Sequence, residues 1–382
     1  ARAFKIGTLA PRFPTLTRLL TEISPGGSFL IDDGLTTGFL PGSVDVTATL
    51  AYQPPIDVAR LVGELHRYPY GCLEQTASVE MPLLYLSDLT REWGLDSGPN
   101  GSGRAAGLRA RVQDAVARIL DRQRFDGGFG LWSSDSPAET WLSGYAVDFL
   151  QRARTQGYDV PDIALNRAYQ YLQTLVRSGA SAFSGVYPAI AYAHFVLARA
   201  GQSVPGADLG ALRYFADEKG GDVGTIMGLS HLAGALALRG AVPRAERLFT
   251  EAIERSASAE SAPRAYRDYG SVLRDIAAII AIARETETMQ RRTASLATEL
   301  QRHYRDTLWT STQEKVWLVL AANSLKGKDK LSITVNGEDR DSDAGPIHLA
   351  VSDQEISKGL RFTNTGDGAI WQSLDVIGVP SD

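Results

Sequence analysis

The chain has 382 residues, 44% of them hydrophobic and 22% charged, which is ample for two or three domains with a buried core and excludes a disordered tail or a disulfide-stapled miniprotein. Lys and Arg total 39 against 44 for Asp and Glu, and the net charge of -5 leaves no basic footprint for nucleic acid. The apolar runs fall short of a bilayer span, and the single cysteine, Cys72, permits neither an internal disulfide nor a Cys-rich zinc site.

The opening ARAFKIGTLAPRF lacks the basic start, apolar stretch and cleavage site of a signal peptide, so the chain reads as a piece of something longer. Residues 1–54 are rich in Gly, Pro and Thr and alternate in polarity, which predicts short strands at Phe29–Asp32 and Val44–Tyr52. From 55 to 325 apolar residues recur at helical spacing, as in Leu108, Val112, Ala115, Val116, Ile119 and Leu120. Breaks at Gly, Pro and polar clusters divide this zone into twelve helices, near 56–67, 73–92, 104–123, 139–156, 161–178, 187–201, 207–218, 222–239, 243–256, 265–285, 289–304 and 311–325. Short connections pair them into six antiparallel hairpins, and such a run forms either an open solenoid or, as preferred here, an α/α toroid closed on itself. After the Lys-rich joint at 325–330 the alternating pattern returns in LSITVNGE, GPIHLAVS, LRFTNTG and AIWQSLDVIGV, with Asn336-Gly337 as a hairpin turn. Both ends of the helical zone lead into β structure, so the expected topology inserts residues 55–325 into one β domain built from 1–54 and 326–382.

The stretch Tyr68-Pro69-Tyr70-Gly71-Cys72-Leu73-Glu74-Gln75 carries the chemistry. It sets a thiol three residues before a carboxamide at the opening of a helix, on one side of a turn. Orientation there lets the thiolate displace ammonia from the Gln75 side chain and close an internal thioester. A helix N-terminus is expected to lower the thiol pKa, Gly71 to clear access, and Tyr68 and Tyr70 to roof the site against water.

YPYGCLEQ resembles the thioester signature of the alpha-2-macroglobulin and complement family, most of all its bacterial members. Those proteins carry GCxEQ on an α/α toroid, the thioester domain, inserted into a CUB-type β sandwich. QRFDGGFGLW at 123–132 and the following WLSGYAVDFL are similar to the family as well, so the likeness extends over nearly the whole chain. It implies that Cys72 and Gln75 form the thioester, that Tyr68 shields it, with Tyr70 beside it, and that Glu74 is merely framed between them. It also implies a fragment of a broad-spectrum protease inhibitor: an endopeptidase cuts a bait region elsewhere in a large parent, and the uncovered thioester acylates a protease lysine. One event consumes one bond, so the protein is a covalent trap and not an enzyme, with no cofactor; its partners are endopeptidases and other domains of the parent. A monomeric, lipid-anchored bacterial parent in the periplasm or cell envelope, with a part in host defence, follows from the likeness alone. Complement-type members redirect the acyl group with a downstream histidine, but the comparable loop Ser181–Tyr187 has none. His194 reads as a core residue, His66 as a cap or surface residue, and His231 and His303 show no partner pattern, so direct attack by amines is expected.

Two other readings remain open at this level. Gln123 with Asp126-Gly127-Gly128-Phe129 resembles the turns of isoprenoid cyclases and prenyltransferases, which share the toroid, and Asp135, Glu139 and Asp148 could suit a glycosidase. Against them, the glycines read as a hairpin turn and the carboxylates as turn and N-cap residues, with Pro137 just inside a helix start. A binding scaffold with an inactive Cys-Gln pair is the third reading. Pro82 is expected to kink or restart the helix that follows the motif.

Overall fold

A computed structural model describes residues 13–52, 56, 58–66, 71–85, 101–180, 184–204, 209–219, 223–258, 268–305, 307, 309–325, 330–342 and 346–381. The chain divides into two compact units, residues 1–57 with 326–382, and residues 58–325.

The helical unit contains, among the described residues, α1 (Val58–His66), α2 (Leu73–Glu80), α3 (Gly101–Leu120), α4 (Thr140–Thr155), α5 (Asp162–Arg177), α6 (Tyr187–Arg199), α7 (Leu209–Lys219), α8 (Ile226–Leu238), α9 (Val242–Ser258), α10 (Val272–Glu285), α11 (Thr293–Arg305) and α12 (Thr312–Ser324). Two kinds of helix alternate. Odd-numbered helices bury one stripe, such as Ala245, Leu248, Phe249 and Ala252 of α9, at the spacing of an amphipathic surface helix. Even-numbered helices are buried nearly all round; in α6 every residue from Tyr187 to Ala198 is inside. Helix α4 packs on α6, α6 on α8, α8 on α10 and α10 on α12, and α12 packs back on α2, which meets α4. That last contact closes the ring, so the unit is an α/α toroid and not an open solenoid.

Aromatic rings fill the axis. His231 of α8 stacks on Tyr192 of α6 with centroids 3.9 Å apart and lies 6.4 Å from Trp317 of α12. Because α8 and α12 are not neighbours in the ring, a contact between them crosses its centre. Side-chain caps start several inner helices: Thr225 accepts from Gly228 N–H, Ser271 from Arg274 N–H, and Ser311 with Glu314 forms a reciprocal capping box. Helix α2 differs from its expected span of 73–92. It ends at Glu80, and Pro82 opens a 3-10 turn through Tyr85, since its ring carries no N–H for the helical ladder and clashes with the preceding turn. Residues 86–92 lie outside the described set.

The β unit holds β1 (Thr15–Ile23), β2 (Ser28–Ile31) and β3 (Asp45–Ala51) from the first segment, and β4 (Ile333–Val335), β5 (Glu338–Asp339), β6 (Ile347–Val351), β7 (Leu360–Asn364) and β8 (Ile370–Gly378) from the last. Two antiparallel sheets, β1-β8-β3-β6 and β2-β7-β4-β5, each mix strands of both segments and share one core around Ile31, Leu50, Ile333, Phe362 and Leu374. Asn336 and Gly337, both at positive φ, make the β4–β5 hairpin turn as the sequence suggests. Strand β1 was not among the expected strands. Its Leu19-Leu20 pair breaks the alternation, and only its pairing with β8 along the full length makes it a strand.

Burial holds the pKa of His194 down to about 4 and that of His231 down to about 3, and neither ring nitrogen of His231 has a hydrogen-bond partner among the described residues. An unfolded histidine titrates near ~6.5, so below that pH the unfolded chain takes up protons that the folded chain refuses. Stability present above pH ~6.5 is therefore lost as the pH falls toward 4. Replacing His231 with Phe keeps a ring in the stack and removes two orphaned nitrogens. Urea titrations at several pH values should find His231→Phe at least as stable at pH 7 and less sensitive to acid between 6.5 and 4.

Candidate functional site

Cys72 is the N-cap of α2, with extended backbone at φ -66° and ψ 173°, and only 7% of its surface is exposed. The turn forms a capping box of unusual composition. The Cys72 N–H donates to Gln75 Oε1 at 3.2 Å, and the sulfur takes the place of a capping oxygen over the Gln75 N–H. Sulfur is a weak acceptor, so the box orients the two side chains more than it stabilises the helix. The thiol and carboxamide that the sequence paired are thus brought together, with the amide oxygen already on a backbone donor.

Three tethers fix this turn. Leu73 N–H donates to Leu131 O at 2.9 Å, and Arg122 donates Nη2–H to Gly71 O at 2.6 Å. Leu131 belongs to the Gly-rich loop after α3, whose glycines are dictated by close approach: a Cβ on Gly127 would lie 2.1 Å from Arg167 O, and one on Gly130 2.1 Å from Ser133 O. The third tether is Glu74. Its Oε1 accepts from Ser78 Oγ at 2.6 Å, Thr312 Oγ1 at 2.9 Å and Gln313 Nε2 at 2.9 Å, joining α2 to the first turn of α12. The sequence reading left Glu74 without a role. The sequence carried no signal for it, because α2 mixes Thr, Ser and Glu with its apolar residues and only the fold buries them together.

Several expectations need correction. The thiol pKa is raised, not lowered: burial outweighs the N–H groups of Gln75 and Glu74 and the nearby Arg122, and the Glu74 charge adds to the rise. Pro137 lies before the N-cap Glu139 of α4 and not inside the helix, because Ala138 bridges back to Gly130. Tyr68 and Tyr70 lie outside the described residues, as do 181–183 of the histidine-free loop. His194 packs against Phe215 in the core and His303 hydrogen-bonds to Arg302 on α11, while His66 closes α1.

The carboxylates offered for a glycosidase do not converge. Asp148 is buried on α4, where Arg152 reaches Oδ1 at 2.6 Å, Arg199 pairs with the same oxygen and Tyr192 donates to Oδ2 at 2.7 Å. These partners hold its pKa well below the ordinary carboxylate range, despite a burial penalty that is the largest single influence. A pocket of about 870 Å³ lies beside it, lined by Tyr85, Arg152, Arg199 and Glu285 at the C-terminal ends of the inner helices. It is at the opposite end of the toroid from Cys72, and Arg152 and Arg199 of its lining are paired with Glu285 and Asp148.

A toroid whose first inner helix opens on a Cys-x-x-Gln box defines a thioester-domain class of protein, and a family model described as "A-macroglobulin TED domain" matches residues 48–185. The alpha-2-macroglobulin of Escherichia coli (strain K12) is 33% identical over 393 residues, covering 99% of this chain and 23% of that protein. The alpha-2-macroglobulin of Xylella fastidiosa (strain Temecula1 / ATCC 700964) is 31% identical over 384 residues, covering 96% and 22%. Among solved structures, the native conformation of E. coli alpha-2-macroglobulin aligns with a TM-score of 0.78 at 29% identity over 97% of this chain and 23% of that one. Salmonella alpha-2-macroglobulin reacted with methylamine aligns with a TM-score of 0.79 at 29% identity over 97% and 24%. The chain belongs to the alpha-2-macroglobulin family and is homologous to its bacterial members. It spans less than a quarter of the length of the curated relatives it matches.

Removing the Glu74 carboxyl would strip the acceptor from the half-buried Thr312 hydroxyl and leave Gln313 Nε2 with Ser78 Oγ alone, at a cost of about 1–3 kcal/mol. Chemical denaturation should show Glu74→Ala destabilised by that order, with Glu74→Gln, which keeps a carbonyl oxygen, destabilised less.

Proposed function

We propose that this chain is the thioester-bearing part of a protease inhibitor of the alpha-2-macroglobulin type, in which Cys72 and Gln75 close an internal thioester that acylates lysine amines of a trapped endopeptidase. The observation that carries the reading is the capping box: the carboxamide is turned onto the Cys72 N–H at 3.2 Å with the sulfur on the same turn. Attack of the Cys72 thiolate on the Gln75 Cδ makes a C–S bond and throws negative charge onto Oε1, where the Cys72 N–H serves as an oxyanion donor. Ammonia leaves with the thiol proton. In the second step an amine attacks the same carbon, an amide forms, the C–S bond breaks, and the amine proton goes to the departing thiolate. Each thioester is consumed once.

Solved relatives support the chemistry and the class of partner. One is the Salmonella alpha-2-macroglobulin reacted with methylamine, a small primary amine, and another is the trypsin-activated E. coli alpha-2-macroglobulin. The roles of Tyr68 and Tyr70 as shields, a CUB-type identity for the β unit, a lipid-anchored parent in the periplasm or cell envelope and a part in host defence belong to the same proposal. An axis filled by Tyr192, His231 and Trp317 speaks against the toroid-enzyme reading, which needs that space for substrate. His194 and His231 are buried in the core of the toroid, which favours amines over hydroxyls as acceptors.

The intact mass should be lower than the sequence mass by one ammonia, and thiol titration should be silent until methylamine releases one thiol per chain. Glutamine retained at 75 together with a freely titrating Cys72 would count against the thioester, whereas glutamate at 75 would record a bond that had formed and hydrolysed. Cys72→Ala should fold normally and lose both signals.

A further inference from the structure

Tyr269 stands at φ +59°, in the left-handed region that bulky side chains avoid. The loop around it is built to hold it there. Arg274, fully buried, donates Nη1–H to Asp268 O at 2.9 Å and places Nη2 3.2 Å from Asp268 Oδ1 and 2.7 Å from Asp275 Oδ1. A Cβ on Gly270 would lie 2.6 Å from Arg274 Nη2, so only glycine fits behind the tyrosine. Ser271 then caps α10 and donates its hydroxyl to Glu314 at 2.6 Å. A strained backbone that its surroundings over-determine marks a position where the side chain's placement is worth the strain.

Tyr269 stands just before α10, at the end of the toroid where the inner helices begin and where Cys72 opens α2. It packs on Trp141 of α4 with centroids 5.6 Å apart, and α4 and α10 are not neighbours in the ring of helices. Two chains of contact then run from Tyr269 to Glu74. On one side Trp141 stacks on Tyr145, whose hydroxyl is 2.9 Å from Ser78 Oγ, which donates to Glu74. On the other, Ser271 bonds Glu314, and the next residues toward the start of α12, Gln313 and Thr312, donate to Glu74. Glu74 sits between Cys72 and Gln75. Burial, followed by the charges of Glu74, Glu139 and Cys72, raises the Tyr269 pKa, so the hydroxyl stays neutral beside the site. The residue nevertheless remains 46% exposed, at the surface of the toroid instead of in its core.

We infer that Tyr269 is a rigid wall of the Cys72–Gln75 pocket, a positioning residue that keeps water from the Gln75 acyl carbon on the side of the toroid mouth. This rests on the thioester reading above. An aliphatic or aromatic cover slows hydrolysis by excluding water, and a wall fixed by Arg274 does so without having to close.

The test compares the 382-residue protein with Tyr269→Gly and Tyr269→Phe. Glycine accepts positive φ, so Tyr269→Gly should keep or raise the Tm while losing its thioester, with no amine added, roughly tenfold faster. Tyr269→Phe keeps the ring and should keep the lifetime. A residue with only a structural role would lower the Tm and leave the lifetime alone. An unchanged lifetime in Tyr269→Gly overturns the inference. Should Tyr269→Gly fail to fold, Tyr269→Asn, whose short side chain tolerates the left-handed region, gives the same comparison. A parent protein with glutamine at 75 and no missing ammonia sinks the functional reading instead. The wall is then read from the free thiol, which iodoacetamide should alkylate roughly tenfold faster in Tyr269→Gly, equal rates overturning the wall as well.

Discussion

Everything in the helical unit depends on one seam. A ring of helices must join its last member to its first, and here α12 meets α2 with a carboxyl group, not an apolar ridge, at the join. Glu74 accepts three hydrogen bonds from Ser78, Thr312 and Gln313, so the closure is directional as well as close-packed. Apolar contact alone tolerates sliding by a fraction of a turn; a buried acceptor shared by two helices does not. Since Glu74 stands between Cys72 and Gln75, the register of the whole ring and the geometry of the reactive pair are set by the same residue.

The same seam explains what could and could not be seen in the sequence. Twelve helices were legible because buried stripes and Gly or Pro breaks are local features, and the Cys72–Gln75 turn was legible because three-residue spacing at a helix start fixes proximity by itself. Ring closure was not, since no residue of α2 declares which helix will lie against it. The placement of Glu74 was hidden for that reason, being a carboxyl whose two partners on α12 are more than 230 positions away. Strand β1 was missed for a related cause: its identity comes from pairing with β8 at the other end of the chain. The short helix Asp353–Lys358 was missed despite a local signal, the capping box of Ser352 with Glu355. Tyr269 offered no signal at all, because nothing in Asp-Tyr-Gly-Ser states that the tyrosine and not the glycine takes the left-handed turn.

The reading of the thiol failed through a competition of effects. The helix N-terminus does present the N–H groups of Glu74 and Gln75 to the sulfur, as expected, and Arg122 adds a favourable charge. Burial is nonetheless the largest influence, and it acts against the thiolate. Sequence shows the helix start and cannot show how much of the turn lies under neighbouring chain, here the Gly-rich loop that binds Leu73 and the arginine that binds Gly71.

On the proposed reading, that raised pKa suits the task. A bond made once and kept until needed tolerates slow formation far better than fast loss, and the fixed proximity of Cys72 and Gln75 offsets a small thiolate fraction during formation. Once formed, the thioester is only as labile as its leaving group is good, and a thiol of raised pKa leaves more slowly than one of low pKa. Burial therefore protects the bond twice, by keeping water from the carbonyl and by making sulfur a reluctant leaving group. Any movement that opened the Cys72 pocket to solvent would reverse both at once, lowering the thiol pKa just as nucleophiles gain entry. A trap of this kind needs no separate catalyst for its release, because exposure alone moves the site from stored to reactive.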